Sequence, residues 1–297
     1  ASDVYKRQGW AQALFRPRTL SRAAAPTIFA ATMDLSDHAC DLHRRVRTRA
    51  PLVHCITNPV AMDTAANAVL AIGASPVMAH AREEVAEIVA LADALTINIG
   101  TLVPERIDAM IEAARAARAA GKPWVFDPVG VGATRLRRAT AQSLLALKPT
   151  VVRGNASEIM TLSGIAGVAA RGVDSARDSA EAETPARTLA ASLGAVVVVT
   201  GAVDIVTDGT RALRIANGHP WMPRVTALGC ALTAITGAFL AVGDDALRSA
   251  AVATALFGLA GEIAARDARG PGSLRVGLMD ALHNLDAATI RAGLRVS

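Results

Sequence analysis

The motif with the clearest chemical potential lies before a long apolar stretch near the C-terminus. Arg224-Val-Thr-Ala-Leu-Gly-Cys230 consists largely of small residues and leads into an apolar helical pattern. The first N–H groups of a helix lack partners within it, and the helix dipole is positive there, so such a start can bind an anion. The motif predicts an anion site in which the Cys230 thiol has a lowered pKa and acts as base or donor. The alternative is a small buried cysteine at an ordinary helix start.

A second motif stands where a strand is expected to lead into a helix. In Arg153-Gly-Asn155-Ala-Ser-Glu158, Asn155 occupies a helix N-cap position and Glu158 follows at capping-box spacing. The same oxygens, with the carboxylate of Asp127 after Trp124-Val-Phe, are ligands that a water-coordinated Mg²⁺ accepts. Two interpretations stay open: a metal site, or a capped helix next to a turn.

Polar residues also follow other predicted strands, in Cys55-Ile-Thr-Asn58-Pro, Asn98-Ile-Gly-Thr and Thr200-Gly. The carboxyl ends of parallel strands lie at one edge of a sheet, where α/β proteins bind their ligands. Together with the two acidic motifs, these strand ends predict a shared ligand crevice.

The elements that must position these residues alternate along the chain. Short β-branched runs predict strands at 52–57, 76–79, 94–99, 124–128, 151–153 and 195–200. Ala-rich patterns predict helices at 63–72, 82–91, 104–120, 137–147, 156–162 and 186–193. Continuous apolar strands such as 195–199 favour a mostly parallel sheet with helices on both faces, a doubly wound α/β fold.

The pattern changes after residue 201. The runs 204–208 and 212–216 flank Asp208-Gly209, a hairpin signal, and predict antiparallel edge strands. Helices are expected at 230–242, 245–266 and about 280–292. The Gly- and charge-rich span 164–184 is interpreted as a surface insertion.

Charge and composition exclude several classes. The net charge is +5, but residues 1–32 hold five basic side chains and one acidic, so the rest is nearly neutral and nucleic acid is not an expected partner. We interpret 1–32 as a non-native or disordered leader, because a different composition begins at Met33, and 33–297 as one domain. No free apolar run suggests a membrane span.

Cysteine and glycine motifs are equally informative. The three cysteines are scattered without a CxxC pair, which argues against a disulfide framework or zinc site and favours the reducing cytoplasm. Gly130-Val-Gly132 lacks the third glycine of a dinucleotide loop, and no GxxxxGK[ST] is present. Rossmann and P-loop functions are therefore not expected.

The motifs in combination resemble the hydroxyethylthiazole kinase family, which has a ribokinase-like fold. The resemblance covers about 42–285 and is carried by ITNPVAMDTAANAVLAIGASPVMAHAREEV, ALTINIGTL, DPVGVGAT, RGNASEI, RGVDS, VVTGAVDIVTDG and GCALTAITGAF. It implies ATP-dependent phosphorylation of the hydroxyl of 5-(2-hydroxyethyl)-4-methylthiazole in thiamine biosynthesis, with Mg²⁺. It also implies a cytoplasmic homotrimer whose sites lie between subunits.

The resemblance also implies roles for individual residues. Cys230 is the catalytic candidate, and the thiazole alcohol would be contacted by Met62 and Ala227. ATP would be bound by Arg137 and Thr200, and the metal by Asp127 and Glu158.

One departure from the family pattern lies at the anion site. Where the family has T-G-x-G-C, this chain has Thr226-Ala-Leu-Gly-Cys230, and Ala227 restricts a backbone that glycine leaves free. Two alternatives therefore remain: a kinase for another heterocyclic alcohol (hydroxymethylpyrimidine or pyridoxal), or a non-catalytic nucleotide- or thiazole-binding protein. The missing aspartate of the GxGD motif argues against the first.

Overall fold

An eight-stranded sheet forms the centre of the protein, for which a computed structural model describes residues 24–164 and 179–297 and side chains from Leu35 onward. The strands are β1 (Leu52–Ile56), β2 (Ser75–Val77), β3 (Ala94–Asn98), β4 (Trp124–Asp127), β5 (Val151–Asn155), β6 (Val196–Thr200), β7 (Asp204–Thr207) and β8 (Ala212–Ile215). Their order is β2-β1-β3-β4-β5-β6-β7-β8. The first six pair in parallel, whereas β7 and β8 are antiparallel, as predicted.

Helices cover both faces of this sheet. They are α1 (Ala24–Arg49), α2 (Met62–Ile72), α3 (Val85–Leu91), α4 (Pro104–Ala119), α5 (Arg135–Leu145), α6 (Ala156–Leu162), α7 (Glu183–Leu193), α8 (Leu228–Val242), α9 (Ala246–Asp267), α10 (Pro271–Asn284) and α11 (Ala287–Gly293). Short 3₁₀ helices lie at Ser179–Ala182 and Met222–Arg224.

Two apolar cores lie on opposite sides of the sheet, because successive strand residues point to opposite faces. Val196 and Val198 pack with α1, α2 and α8–α11, whereas Val197 and Val199 pack with α3–α7. A strand buried on both faces must be apolar at every position, which explains the unbroken valine run in β6. The predicted α/β architecture is confirmed.

The helices at the two ends of the chain differ from the prediction. No element was assigned before residue 52, although Leu35, Ala39, Leu42 and Val46 are buried at helical spacing in α1. The single helix expected at about 280–292 is divided, because α11 has its own N-cap: Asp286 Oδ1 accepts a hydrogen bond from Thr289 N at 2.7 Å.

Two segment predictions lie wholly or partly outside the described residues. The leader 1–32 is described only from Ala24, the first residue of α1, so the assignment of that segment stays a prediction. Of the insertion predicted at 164–184, residues 165–178 are not described, and its last residues already belong to α7.

Within the described ranges, α9 is the one helix long and apolar enough to cross a membrane by length and composition. Inside the protein, 78% of its apolar window is buried, which is typical of a core helix.

Candidate active site

The polar strand ends predicted from the sequence meet at one edge of the sheet. Asn98 and Asp127 are register neighbours at the ends of β3 and β4, and Asn155 and Thr200 are neighbours at the ends of β5 and β6. Asn58 follows β1 and donates from Nδ2 to Asn98 Oδ1 at 2.8 Å. The predicted gathering of polar strand ends at one edge of the sheet is therefore confirmed, and the ligand crevice stays a prediction.

Helix α8 begins over this edge. Ala227 is its N-cap, in the left-handed region with φ 69° and ψ 0°, and Ala231 N makes a bond to Ala227 O at 2.9 Å. The N–H groups of 228–230 precede that bond and have no carbonyl one turn back, as at any helix start. A left-handed alanine is strained because its Cβ crowds the backbone, a strain that glycine avoids.

Cys230 lies in this first turn, half-buried. Asn98 Nδ2 donates to its sulfur at 3.2 Å and Asn58 Nδ2 at 3.5 Å. Burial and the nearby Asp127 carboxylate raise the pKa of the Cys230 thiol to about 12. The predicted lowered pKa is wrong, because burial outweighs the lowering effects of the Arg153 charge and of both amide donors. At neutral pH the group is a thiol.

Asp127 is the most deeply placed acid of the site. Its Oδ2 accepts hydrogen bonds from Asn98 Nδ2 at 2.7 Å and Thr233 Oγ1 at 2.8 Å. Its Oδ1 is buried without a hydrogen-bond partner within the described part of the chain. Burial raises the pKa of this carboxyl, opposed by the charge of Arg153. The unpaired oxygen is a potential ligand atom.

Glu158 makes the predicted capping box. Its Oε2 accepts from Asn155 N at 2.8 Å, and Asn155 Oδ1 accepts from Glu158 N at 2.9 Å. The other oxygen, Oε1, accepts from Gly130 N at 2.8 Å, which ties the turn after β4 to α6. Burial, and secondarily Asp127, raises the pKa of Glu158 to about 7. Both oxygens already have partners.

Arg153 is the site residue that the sequence interpretation missed. Its side chain is 11% exposed, with Nη1 3.8 Å from Asp127 Oδ2 and Nη2 donating to Thr200 Oγ1 at 2.9 Å. A Cβ on Gly229 would lie 2.7 Å from Nη1, so the glycine makes room for the guanidinium at the start of α8. An arginine in an otherwise apolar buried strand was the available signal, because buried charges need a partner or a ligand.

Arg137, predicted to bind ATP, donates three hydrogen bonds to backbone carbonyl oxygens. Its Nη1 donates to Ile99 O and Val129 O, each at 2.6 Å, and its Nη2 to Gly100 O at 2.6 Å. The side chain therefore holds together the loops that follow β3 and β4, and its role toward ATP stays a prediction.

Met62 begins α2, half-buried, one residue after Ala61, whose N–H donates to Asn58 Oδ1 at 3.1 Å. A second methionine, Met78, follows β2 at the same edge of the sheet, and its carbonyl oxygen lies 2.6 Å from His80 Nδ1. The sequence interpretation gave Met78 no role, although it too follows a strand.

The described residues contain no group of three or more His, Cys, Asp or Glu side chains that could hold a metal ion by themselves. A cation at this edge would depend on one or two carboxylates together with ligand oxygens and water, the coordination typical of Mg²⁺ at phosphates.

The comparisons with known proteins agree on one family. The model of the Hydroxyethylthiazole kinase family matches residues 43–288. The hydroxyethylthiazole kinase of Cereibacter sphaeroides (strain ATCC 17029 / ATH 2.4.9) is 57% identical over 251 residues, covering 84% of this chain and 95% of the relative. The chain belongs to the hydroxyethylthiazole kinase family. The family predicted from the motifs is confirmed.

Other relatives of the hydroxyethylthiazole kinase family lead to the same assignment. The protein of this name from Rhizobium leguminosarum bv. trifolii (strain WSM2304) is 55% identical over 253 residues, 85% of this chain and 94% of the relative. The structure of a hydroxyethylthiazole kinase protein from Pyrococcus horikoshii OT3 has a TM-score of 0.82 and 43% identity, covering 88% of this chain and 98% of that one. A pyridoxal kinase from Staphylococcus aureus, with a TM-score of 0.53 and 17% identity over 69% of this chain and 86% of its own, shares the fold alone. The ribokinase-like architecture is thus confirmed.

Proposed function

We propose that the chain phosphorylates the hydroxyl group of 5-(2-hydroxyethyl)-4-methylthiazole with ATP, a step of thiamine biosynthesis. The observation that carries this proposal is the 57% identity to a hydroxyethylthiazole kinase over 95% of that relative's length. The site adds an independent argument, because an uncapped helix start and a buried arginine converge on one edge of the sheet.

The site residues suit phosphoryl transfer, which needs alignment and charge neutralisation rather than covalent chemistry from the protein. The N–H groups at the start of α8 would bind the oxygens of the transferring phosphoryl group. Arg153 would add positive charge beside them, since Gly229 lets its guanidinium reach the helix start. Thr200, the partner of Arg153, would contact ATP.

The carboxylates fit a magnesium ion that is held mainly by phosphates and water. Asp127 offers the buried unpaired Oδ1, whereas both oxygens of Glu158 accept backbone hydrogen bonds, so Glu158 would act through water. A magnesium ion held by these residues would supply positive charge against the phosphate oxygens of ATP.

The remaining site predictions are retained as proposals. Met62 would contact the thiazole ring as a soft apolar side chain, and Ala227 would lie against the substrate at the helix start. Arg137 would reach ATP only through N–H groups not used on its three carbonyl partners. Cys230 would contact the substrate hydroxyl.

The assembly and compartment are also proposals. A homotrimer with sites between subunits is proposed from the family to which the chain belongs. The three free cysteines Cys40, Cys55 and Cys230 agree with the reducing cytoplasm.

The test is ADP release measured with the thiazole alcohol, pyridoxal and hydroxymethylpyrimidine in parallel, each with ATP and Mg²⁺. We expect the largest kcat/KM for the thiazole alcohol. A larger value for either other alcohol would change the substrate assignment. ATP binding without turnover of any of the three would identify a non-catalytic binding protein.

A further inference from the structure

The two asparagine amides beside Cys230 have their orientations set by other groups. Asn98 Oδ1 accepts from Gly100 N at 2.9 Å, while its Nδ2 donates to the Asp127 carboxylate at 2.7 Å. Exchanging the amide oxygen and nitrogen would place oxygen against the carboxylate and nitrogen against a backbone N–H. Asn98 therefore presents N–H, not oxygen, to the cysteine.

Asn58 is held in the same sense. Its Oδ1 accepts from Ala61 N at 3.1 Å, and its Nδ2 donates to Asn98 Oδ1 at 2.8 Å. An amide nitrogen carries two protons, so each asparagine has one left after its other bond. The second proton of each amide lies toward Sγ, at 3.5 Å for Asn58 and 3.2 Å for Asn98.

The backbone under Asn58 is held as well. Thr57 O accepts from Arg106 Nη1 at 3.1 Å, and Thr57 N donates to His80 Nε2 at 3.3 Å. This leaves Asn58 little freedom to turn away from the sulfur.

After the two amide contacts, the Cys230 sulfur has one hydrogen-bonding group left for a ligand. A thiol sulfur has two lone pairs and one proton besides its Cβ bond. The two amides occupy both lone pairs of Cys230 Sγ. In contrast, the thiols of Cys40 and Cys55 donate to the carbonyl oxygens of Ala287 and Val53. No described residue accepts from the Cys230 thiol, so its S–H is the group left for a ligand.

We propose that Asn58 and Asn98 are positioning residues that turn the Cys230 S–H toward the substrate, where it donates a hydrogen bond to the alcohol oxygen. The inference rests on the proposed function and names the contact by which the site orients its alcohol. The thiol keeps its proton throughout. The alcohol oxygen forms a bond to the γ phosphorus and the bond from phosphorus to the bridging oxygen breaks. That oxygen leaves with the electron pair on ADP, and the alcohol proton passes to an oxygen of the transferred phosphoryl group.

A double-mutant cycle tests whether Asn58 acts through Cys230. Asn58→Ser and Asn58→Asp both retain an oxygen that can accept from Ala61 N but remove the N–H donors. Each should lower kcat by roughly tenfold in the natural chain, the effect of losing one hydrogen bond that orients the alcohol for attack, with a smaller change in KM for ATP. In a Cys230→Ala background, Asn58→Ser should change kcat less than twofold. An equal loss in both backgrounds would overturn the proposal.

Asn67→Asp is the matched control. Asn67 is exposed on α2, where Asp63 is the partner of its Nδ2 among the described residues, so this substitution should leave kcat and KM unchanged. If Asn58→Asp alone lowers kcat and Asn58→Ser does not, added charge rather than lost positioning is the cause, and the proposal fails.

Infrared spectroscopy of the S–H stretch supplies a readout that needs no turnover. The difference between the natural chain and Cys230→Ala isolates the Cys230 band. Asn58→Ser should shift this band in the free protein, and the thiazole alcohol should move it to lower frequency in the natural chain. A band unmoved by Asn58→Ser, or one lost on alcohol binding, would overturn the inference. If no alcohol is phosphorylated, the proposed function fails, and the free-protein band still decides whether Asn58 contacts the thiol.

Discussion

The left-handed backbone at Ala227 makes Ala227→Gly the most informative single substitution. An L-residue with φ near 69° is disfavoured by about 1–2 kcal/mol relative to glycine. The greater conformational freedom of glycine in the unfolded chain reduces this stabilisation by about 0.4–1 kcal/mol. The net expectation is a gain of about 1 kcal/mol in the free energy of unfolding, or about 2–4 °C in Tm for a chain of this size.

The same substitution should also affect catalysis, because Ala227 is the N-cap of the helix whose start would bind the phosphoryl group. Without that strain, the N–H groups at the start of α8 can adopt the geometry that binds the ligand at a lower free-energy cost. We expect kcat/KM for the thiazole alcohol to be retained or raised, by no more than roughly tenfold, since tenfold corresponds to about 1.4 kcal/mol. The assays are thermal melting and steady-state ADP release.

The chain offers a matched control in Ala50, which has φ 44° and lies before Pro51, at the opposite edge of the sheet from the site. Ala50→Gly should also raise Tm, with unchanged kinetics. A lower Tm for Ala227→Gly, whatever Ala50→Gly does, would refute the argument from backbone strain. A large fall in kcat/KM would show that the Ala227 methyl group itself is needed.

Three further outcomes are expected. Asp127→Asn should raise the Mg²⁺ concentration needed for half-maximal turnover by about tenfold, and Glu158→Gln should raise it by less, because Asp127 is the one of the two with an unpaired oxygen. The opposite order in the Mg²⁺ titrations would contradict this expectation. Cys230→Asp should retain or raise turnover, because a carboxylate keeps both amide donors and contacts the substrate hydroxyl by accepting its hydrogen bond in place of the donated S–H. Cys230→Ala should lower turnover by roughly ten- to a thousandfold without loss of ATP binding; steady-state kinetics decide, and equal rates for Cys230→Ala and the natural chain would leave the cysteine a packing role. Burial lowers the pKa of His43 to about 4, so the folded state favours its neutral form and the contribution of His43 to stability falls as pH drops from about 6.5 toward 4. Between pH 7.5 and 5, urea unfolding should show the natural chain losing about 2 kcal/mol relative to His43→Met, and the same pH dependence in both proteins would refute the assignment to His43.

The sheet could be predicted closely because its signals are local. The valine run of β6 and the Asp208-Gly209 turn each specify their conformation within a few residues. Where the signal was weaker the prediction failed: α1 received no assignment, and the break before α11 depends on one capping aspartate, Asp286.

The capping box of Glu158 was predictable for the same reason, since both partners lie within one helical turn. The bond from Gly130 N to Glu158 Oε1 was not, because it joins residues 28 positions apart. Arg153 was missed because its partners, Asp127 and Thr200, come from neighbouring strands.

By itself the sequence determined the family, the alternation of strands and helices, and the edge of the sheet where polar residues collect. These follow from residue order, periodicity and motif spacing. Only the tertiary structure decided the chemical state of that edge. The pKa of Cys230 rises rather than falls because burial and Asp127 act on it together, and neither is visible along the chain. The direction of its S–H likewise depends on two amides brought beside it from 172 and 132 residues away. Solvent exclusion and through-space electrostatics are properties of packed atoms, so they exist only once the chain has folded.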